Sequence, residues 1–449
     1  MKHMPWLALV CLLALSGGAF AQAGSQWVVS WAASVQGPYP SGNPSAQPDL
    51  ALAFPSAQTG ARDQSFRLIV RPTLWGRSAR VRLSNALGSR TVTFDAVYVG
   101  LHQSSGAVVR GTNQPVTFGG EARVEVSPGG SAWSDPIELV FVTDADDPLL
   151  ADRKLAVSFH VVGESGPMTW HAKALQTSYV TQPGAGAHSA DESETSFAFS
   201  TTSWYFLDAV EVRAPADAFA IVAFGDSITD GTLSTLNGDD RWPDVLARRL
   251  RAAHGNRIAV VNAGIGGNQV VGPAQYRAEW PFAGGPSALQ RLERDVLSLS
   301  GVAALIWLEG VNDFSANGNA SADAVYEGMR AGVARVRAAY PGSCVIGGTL
   351  TPVLGATLPA HGSAEQESKR AQFNARVREG GLFDAVIDFE RATVDPATGA
   401  LAEALVPNTT VGGPGDRLHP NRVGYVRMGS AIELDRLPPL GCGLVLLCQ

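Results

Sequence analysis

Charged residues are scarce in this chain of 449 residues, since Asp, Glu, Lys and Arg together make up only 17% of it. The 34 basic residues are fewer than the 41 acidic ones, and no cluster of Lys or Arg stands out. This balance argues against a nucleic acid or an acidic membrane surface as partner, because both bind clustered basic side chains. A content of 45% apolar residues excludes a disordered chain, and over this length it predicts two domains.

Long apolar runs are also scarce. The clear run covers residues 6–20, follows Lys2 and ends beside the small residues Ala19 and Ala21. It is shorter than the roughly 20 residues that span a bilayer, and this arrangement is typical of a secretory signal peptide. We therefore expect a signal peptide over residues 1–21, with an uncleaved membrane anchor as the alternative. After cleavage we expect no integral membrane segment, and a secreted or periplasmic protein.

Cysteine is the third scarce feature, with four residues in the chain. Cys442 and Cys448 flank a short apolar stretch near the C-terminus, and in an oxidising compartment we expect them to pair, with two free thiols as the alternative. Cys344 opens an apolar run and is expected to be a buried free thiol. The cysteine spacing is not typical of a zinc site, so no metal is predicted.

Two patterns divide the rest of the chain. From residue 27 to about 212, short stretches of alternating polar and apolar residues are separated by turn-forming Gly, Pro and Asn, as in residues 80–83 and 155–161. This pattern predicts an all-β domain over residues 22–213, closed as a sandwich or jelly roll. Residues 184–196 are rich in Gly, Ala and Ser and then acidic, so we expect a mobile loop there.

After a linker at residues 214–217, continuous apolar runs alternate with amphipathic stretches. Such alternation is typical of a parallel sheet flanked by helices, so we expect an α/β domain over residues 214–449. In these sheets ligands bind beyond the carboxyl ends of the strands. The pattern predicts strands over residues 219–224, 258–261, 302–308, 345–350 and 385–389, and helices over residues 243–253, 289–297, 322–339 and 368–379.

Polar residues follow the first three predicted strands. Ser227 stands at a predicted loop-to-helix junction, where it is either a nucleophile or a helix N-cap. Gly264, Gly266 and Gly267 follow the second strand and either bring a backbone N–H close to a ligand or form a plain turn. Asn312 follows the third strand, and its amide either donates to an oxyanion or lies in a turn.

A fourth polar segment lies in the C-terminal loop, where Asp416 precedes His419 by three residues. One local loop can then supply a base and the acid that orients it, although a surface Asp and a hydrogen-bonded His are the alternative. Together the four segments contain what acyl transfer by a serine requires, namely a nucleophile, a base, an orienting acid and oxyanion donors. The chain lacks the phosphate-loop, dinucleotide-binding, zinc-helix and nucleophile-elbow motifs.

These four segments resemble the four sequence blocks of the SGNH/GDSL hydrolase family of esterases and lipases, over roughly residues 219–437. The blocks are Gly225-Asp226-Ser227-Ile228, Gly267, Gly310-Val311-Asn312-Asp313 and Asp416-Arg417-Leu418-His419. The resemblance implies a three-layer α/β/α fold without metal or cofactor.

The resemblance also implies a role for each matching residue. Ser227 matches the nucleophile, and Asp416 and His419 match the acid and the base. Ser227 N–H, Gly267 N–H and the Asn312 side chain match the oxyanion donors. Gly264 and Gly266 stay open as alternatives to Gly267. Asp226 and Asp313 are expected to tie loops together through hydrogen bonds.

A β-rich half followed by this catalytic half resembles a two-domain subgroup of arylesterases and acylhydrolases that includes enzymes found beside xylanases. We therefore expect a secreted serine esterase that acts on short acyl esters, most simply acetyl esters, on small molecules or acylated carbohydrate. One alternative is a lipase or phospholipase for longer acyl chains. The other is a carbohydrate-binding or adhesion protein with an inactive hydrolase domain.

Overall fold

The computed structural model describes residues 24–438. The predicted signal peptide and the predicted pairing of Cys442 with Cys448 lie outside these residues.

The N-terminal part consists of antiparallel strands in three sheets. The first has the strand order β1-β16-β4-β10 with β9 beside β4, the second has β14-β13-β3-β11-β5-β6 with β7 and β8 beside β5, and the third has β15-β12-β2. The strands are β1 (Ser25–Ala32), β2 (Gly37–Pro38), β3 (Arg62–Val70), β4 (Ser78–Ser84), β5 (Val92–Ser104), β6 (Ala107–Val108), β7 (Gln114–Pro115), β8 (Arg123–Val126), β9 (Ser131–Trp133), β10 (Ile137–Glu138), β11 (Leu155–Glu164), β12 (Thr169–His171), β13 (Ser178–Val180), β14 (Phe199–Thr201), β15 (Trp204–Tyr205) and β16 (Leu207–Pro215).

The C-terminal part is an α/β unit built on a parallel sheet with the strand order β18-β17-β19-β20-β21. Its strands are β17 (Phe219–Gly225), β18 (Ile258–Gly264), β19 (Val302–Leu308), β20 (Cys344–Gly348) and β21 (Ala385–Ile387). Its helices are α1 (Ser227–Asp230), α2 (Trp242–His254), α3 (Ala288–Leu292), α4 (Ala322–Ala339), α5 (Ala364–Glu379), α6 (Phe389–Thr393) and α7 (Arg422–Ala431). The parallel sheet and the β-rich N-terminal part confirm the coarse fold prediction.

Local capping decides where the predicted elements end. Helix α5 begins four residues earlier than predicted, because the Ser363 hydroxyl accepts a hydrogen bond from Gln366 N at 3.1 Å and starts the helix there. Strand β21 ends at Ile387 because Asp388 caps the following helix α6. Strand β19 and helix α4 have the bounds that the sequence predicts.

Residues 184–196 contain no regular element, but a buried guanidinium holds them. Arg67 on β3 donates to the carbonyl oxygens of Asp191 and Ser193 and, at 2.6 Å, to Gly106 O. The expected mobile loop is therefore tied to the second sheet by an arginine that the loop's own composition does not reveal.

The expectation of a free thiol at Cys344 is wrong. Cys344 is buried at the start of β20 and takes part in a disulfide bond. The apolar run around Cys344 correctly predicted burial, but burial does not separate a thiol from a disulfide.

The two parts of the chain pack closely against each other. Strand β1 packs on β18, the edge strand of the parallel sheet, and Val29 N donates to Ser300 O at 2.9 Å. The Thr73 hydroxyl donates to Val260 O and accepts from Val260 N, both at 3.1 Å, so it covers part of that edge. Buried apolar side chains from both parts form one continuous cluster.

Within residues 24–438, the helices are either too short or too polar to cross a lipid bilayer.

Candidate active site

Ser227 is the first residue of α1, directly beyond the carboxyl end of β17. The Asp226 side chain caps this helix by accepting from Ile228 N at 2.9 Å, which is the loop-tying role expected of it. A β-carbon at Gly225 would lie 2.1 Å from Leu308 O, so only glycine lets the chain turn there. The sharp turn brings Ser227, 5% exposed, to the wall of a cavity.

Asp416 and His419 are joined within one tight loop. Arg417, between them, adopts a left-handed backbone with φ of 59°. This turn lets Asp416 Oδ1 accept from the backbone N–H groups of Leu418 and His419 at 3.0 and 2.9 Å. The other carboxylate oxygen, Oδ2, lies 2.6 Å from His419 Nδ1.

The loop and the turn after β17 bring three side chains into one hydrogen-bonded chain. His419 Nε2 lies 2.8 Å from Ser227 Oγ, although the two residues are 192 positions apart. Burial raises the pKa of Asp416, but hydrogen bonds from His419 and its charge outweigh burial and lower the pKa to about 2. An ionised carboxylate only accepts, so Nδ1 of His419 carries the hydrogen and Nε2 is free to accept from the serine hydroxyl.

Hydrogen bonds distinguish the three candidate glycines, of which Gly264 ends β18 and Gly266 and Gly267 follow it. Gly264 N donates to Asn262 Oδ1 at 2.9 Å, and Gly266 N donates to Asp230 Oδ2 at 3.0 Å. Gly267 has a left-handed φ of 83°, and its N–H finds no acceptor among residues 24–438. Of the three, Gly267 is the glycine with a donor left for a ligand. The N–H of Ser227 likewise has no acceptor among residues 24–438.

Asn312 follows β19 and is held against the glycine loop. Its Nδ2 donates to Asn268 O at 2.9 Å, which uses one of two amide hydrogens. The next residue, Asp313, accepts from Val270 N and Val271 N at 2.8 and 3.0 Å, and burial raises its pKa to about 7 despite these bonds. Asp313 thus ties the third loop to the second, as the sequence predicts.

Both parts of the chain line the cavity around these groups, which has a volume of about 850 Å³. The N-terminal part contributes residues 42–45 and Lys173. The Lys173 ammonium is buried and donates to Thr232 Oγ1 at 2.6 Å. Burial lowers its pKa, although the nearby carboxylates of Asp230 and Asp416 act in the opposite direction.

A second histidine, His361, lines the cavity near His419. Gln366 Oε1 accepts from Gly362 N at 2.9 Å, so its amide nitrogen faces His361 Nδ1 at 2.8 Å and donates to it. Burial and the neighbouring His419 lower the pKa of His361 to about 4. His361 is therefore neutral at pH 7 and carries its hydrogen on Nε2.

Sequence reasoning missed Asn43, Lys173 and His361. Each lies in a segment without a motif, and each reaches the site only through packing of distant parts of the chain. His, Cys, Asp and Glu side chains form no group of three suited to a metal ion within the described residues.

A serine hydrogen-bonded to a histidine, which is in turn hydrogen-bonded to an aspartate, defines a serine hydrolase site at the carboxyl ends of a parallel sheet. Residues 223–427 match the model of the GDSL-like Lipase/Acylhydrolase family. This part of the chain is therefore similar to the GDSL-like lipases and acylhydrolases, and the match supports a carboxylic ester hydrolase.

Solved structures with similar folds include an aryl esterase from M. smegmatis, with 18% identity and a TM-score of 0.36 over 48% of this chain and 96% of that one. A carbohydrate acetylesterase from Sinorhizobium meliloti has 16% identity and a TM-score of 0.36 over 47% and 95%. A GDSL-like lipase from Bacteroides thetaiotaomicron has 19% identity and a TM-score of 0.34 over 47% and 84%. No curated protein matches the chain.

Proposed function

We propose that this protein is a serine esterase that hydrolyses short acyl esters, acetyl esters in the first place, through an acyl-enzyme. The observation that carries the proposal is the hydrogen-bonded chain from Asp416 through His419 to Ser227, at 2.6 and 2.8 Å. These distances are those of a nucleophile within reach of its base and of a base within reach of its orienting acid.

In the first half of the reaction, Ser227 Oγ attacks the ester carbonyl and its proton passes to His419 Nε2. Asp416 stabilises the resulting imidazolium through Nδ1–H. The carbonyl oxygen becomes an oxyanion that accepts from Ser227 N–H, Gly267 N–H and the second amide hydrogen of Asn312. The intermediate collapses, the C–O bond breaks, and the alcohol leaves with the proton from His419.

In the second half, a water molecule attacks the acyl-serine while His419 Nε2 takes its proton. The same three donors stabilise the second oxyanion. When the bond to Ser227 Oγ breaks, His419 returns the proton to the serine, and the free acid leaves.

The cavity wall supports a short acyl group on a polar alcohol. Phe282, Leu358 and Leu418 are its large apolar side chains. Amide, hydroxyl, imidazole, carboxylate and ammonium groups share the wall with these side chains and with two prolines and three alanines. Hydroxyl-rich alcohols such as sugars can hydrogen-bond to these groups, which supports acylated carbohydrate as a substrate.

A series of aryl esters from acetate to palmitate tests the preference for short acyl groups. We expect kcat/KM to fall with acyl length, and a rise would favour the lipase alternative.

We also propose that the protein works in an oxidising compartment, outside the cytoplasm. The disulfide at Cys344 supports this, because disulfides persist mainly in secreted and periplasmic proteins.

Replacement of Ser227 tests the proposed function directly. We expect Ser227→Ala to lower kcat on phenyl acetate by about 10⁴-fold or more, because the nucleophile is removed. Ser368→Ala, at an exposed position on α5, is the matched control. Near-normal turnover by Ser227→Ala would refute the mechanism, and labelling of the native protein by a fluorophosphonate that the variant loses would support it.

A further inference from the structure

The peptide group between Gly266 and Gly267 is held by a residue of the N-terminal part. Asn43 lies in the segment that follows β2, and its Nδ2 donates to Gly266 O at 2.8 Å. Because the acceptor is a carbonyl oxygen, the amide has to present its nitrogen there. A β-carbon at Gly267 would lie 2.8 Å from the same nitrogen, so Asn43 sits directly against this peptide.

Peptide geometry turns this contact into a direction for the Gly267 N–H. In a trans peptide the C=O and the following N–H point in opposite directions. The cis peptides of the described residues precede Pro40 and Pro273, so the Gly266–Gly267 peptide is trans. Anchoring Gly266 O at Asn43 therefore aims the Gly267 N–H away from Asn43, and no described residue accepts from it.

The N–H of Gly266 is fixed from the same side of the molecule. It donates to Asp230 Oδ2 at 3.0 Å, and Asp230 Oδ1 lies 3.1 Å from Nε2 of His171 on β12. His171 Nδ1 in turn lies 2.7 Å from Ser34 O. Both ring nitrogens of His171 thus face oxygen atoms, and the Asp230 carboxylate lies between this ring and the Gly266 N–H.

We propose that Asn43 is a positioning residue of the esterase reaction, which orients the Gly267 N–H toward the oxyanion. The N-terminal part of the chain then completes the oxyanion hole as well as lining the cavity. The inference rests on the proposed function, in which Gly267 N–H stabilises the tetrahedral intermediate. Among the described residues Asn43 has no hydrogen bond to the triad, and it acts through the peptide that it holds.

Asn43→Ala and Asn43→Asp test this role. Alanine removes the donor, and aspartate puts a carboxylate oxygen against Gly266 O. For both variants we expect kcat on phenyl acetate, per active site titrated with a fluorophosphonate, to fall about tenfold or more. KM should change by less than about threefold, because the oxyanion forms only after binding. The inhibition constant of phenylboronic acid, which forms a tetrahedral adduct with the serine, should rise by a factor similar to the loss in kcat.

Asn113→Ala is the matched control, since Asn113 also lies in the N-terminal part and donates to backbone carbonyls, those of Ser189 and Ala190, away from the cavity. If the Asn43 variants keep a kcat per titrated site within about twofold of the native value, the inference is overturned. This holds even if fewer sites are titrated, because a purely structural role lowers the number of folded sites and leaves kcat per site unchanged. Failure of the fluorophosphonate to label the native protein would instead overturn the proposed function.

Discussion

At the scale of single residues, the candidate oxyanion hole depends on donors that the fold leaves unpaired. Asn312 uses one amide hydrogen to hold Asn268 O, and the other has no acceptor among the described residues. The N–H groups of Ser227 and Gly267 are unpaired as well. Unpaired donors gathered at one cavity favour a ligand oxygen that accepts from them.

Asn312→Ala should lower kcat on an aryl acetate by on the order of 10²–10³, because one preorganised donor to the oxyanion is lost. Active-site titration with a fluorophosphonate followed by steady-state kinetics measures the effect per folded site. A loss of less than about tenfold would remove Asn312 from the oxyanion hole.

Asp416 should also contribute to stability in a pH-dependent way. Its pKa falls from an ordinary value of 3.8 to about 2 on folding, so the unfolded chain binds more protons in acid. The contribution, about 2 kcal/mol, is complete above pH ~4 and is lost as the pH falls toward ~2. In urea unfolding at a series of acidic pH values, Asp416→Asn should remove this part of the slope, while Asp435→Asn, an exposed carboxylate, should leave it.

The triad could be predicted because its members lie in short motifs and at strand ends that the apolar pattern places at one sheet edge. Asn43 could not, since it carries no local signal and reaches Gly266 from 223 positions away. The choice of Gly267 over Gly264 and Gly266 also required coordinates, because it depends on which N–H groups are already used.

At the scale of elements, a buried guanidinium joins the strand ends beneath the site. Arg291 on α3 donates to Gly225 O at 2.9 Å and to Ala263 O at 2.8 Å. These carbonyl groups lie at the carboxyl ends of β17 and β18. It also donates to Asn268 Oδ1 at 2.7 Å and packs over the Phe224 ring at 4.0 Å. Helix α3 thereby holds the nucleophile turn and the glycine loop at a fixed separation.

Replacement of Arg291 should therefore cost much more than replacement of an exposed arginine. Arg291→Met removes a buried cation next to Asp295 and leaves Asn268 Oδ1 without its donor, so we expect a loss of about 3–5 kcal/mol. Arg330→Met on α4, where the guanidinium is mostly exposed, should change stability by less than about 1 kcal/mol. Urea unfolding of both variants measures the difference, and equal losses would contradict the role of Arg291.

The elements themselves were largely predictable, because continuous apolar runs between amphipathic stretches leave few alternatives to a parallel sheet. Their ends were less so, as the early start of α5 at Ser363 and the short β21 show, since single capping side chains decide them. The disulfide at Cys344 could not be deduced, because cysteine pairing depends on the approach of chain segments far apart in sequence.

At the scale of the whole molecule, the two parts share one apolar cluster. Strand β1 and Thr73 cover the β18 edge of the parallel sheet, and residues 42–45 and Lys173 line the catalytic cavity. Alternating patterns in the sequence revealed two kinds of architecture, but they did not reveal this shared core.

Expression of residues 214–449 alone should give a protein that aggregates or unfolds at a clearly lower temperature than the full chain. Removal of the N-terminal part exposes the β18 edge and the apolar surface that β1 covers. It also removes Asn43, so kcat on phenyl acetate per titrated site should fall. Size-exclusion chromatography, thermal unfolding and the kinetic assay check this, and a soluble monomer with full activity would leave the N-terminal part only a targeting or specificity role.

The mixed origin of the cavity wall bears on how such an enzyme can change its substrate. The proton-transfer groups all belong to one segment, whereas residues 42–45 and Lys173 belong to another. Mutations in loops of the β-rich segment can therefore reshape substrate preference while the serine, histidine and aspartate stay in place. For directed evolution, libraries at positions 44 and 45 are the natural starting point. The neighbouring Asn43 has to be kept, because it holds the Gly266–Gly267 peptide.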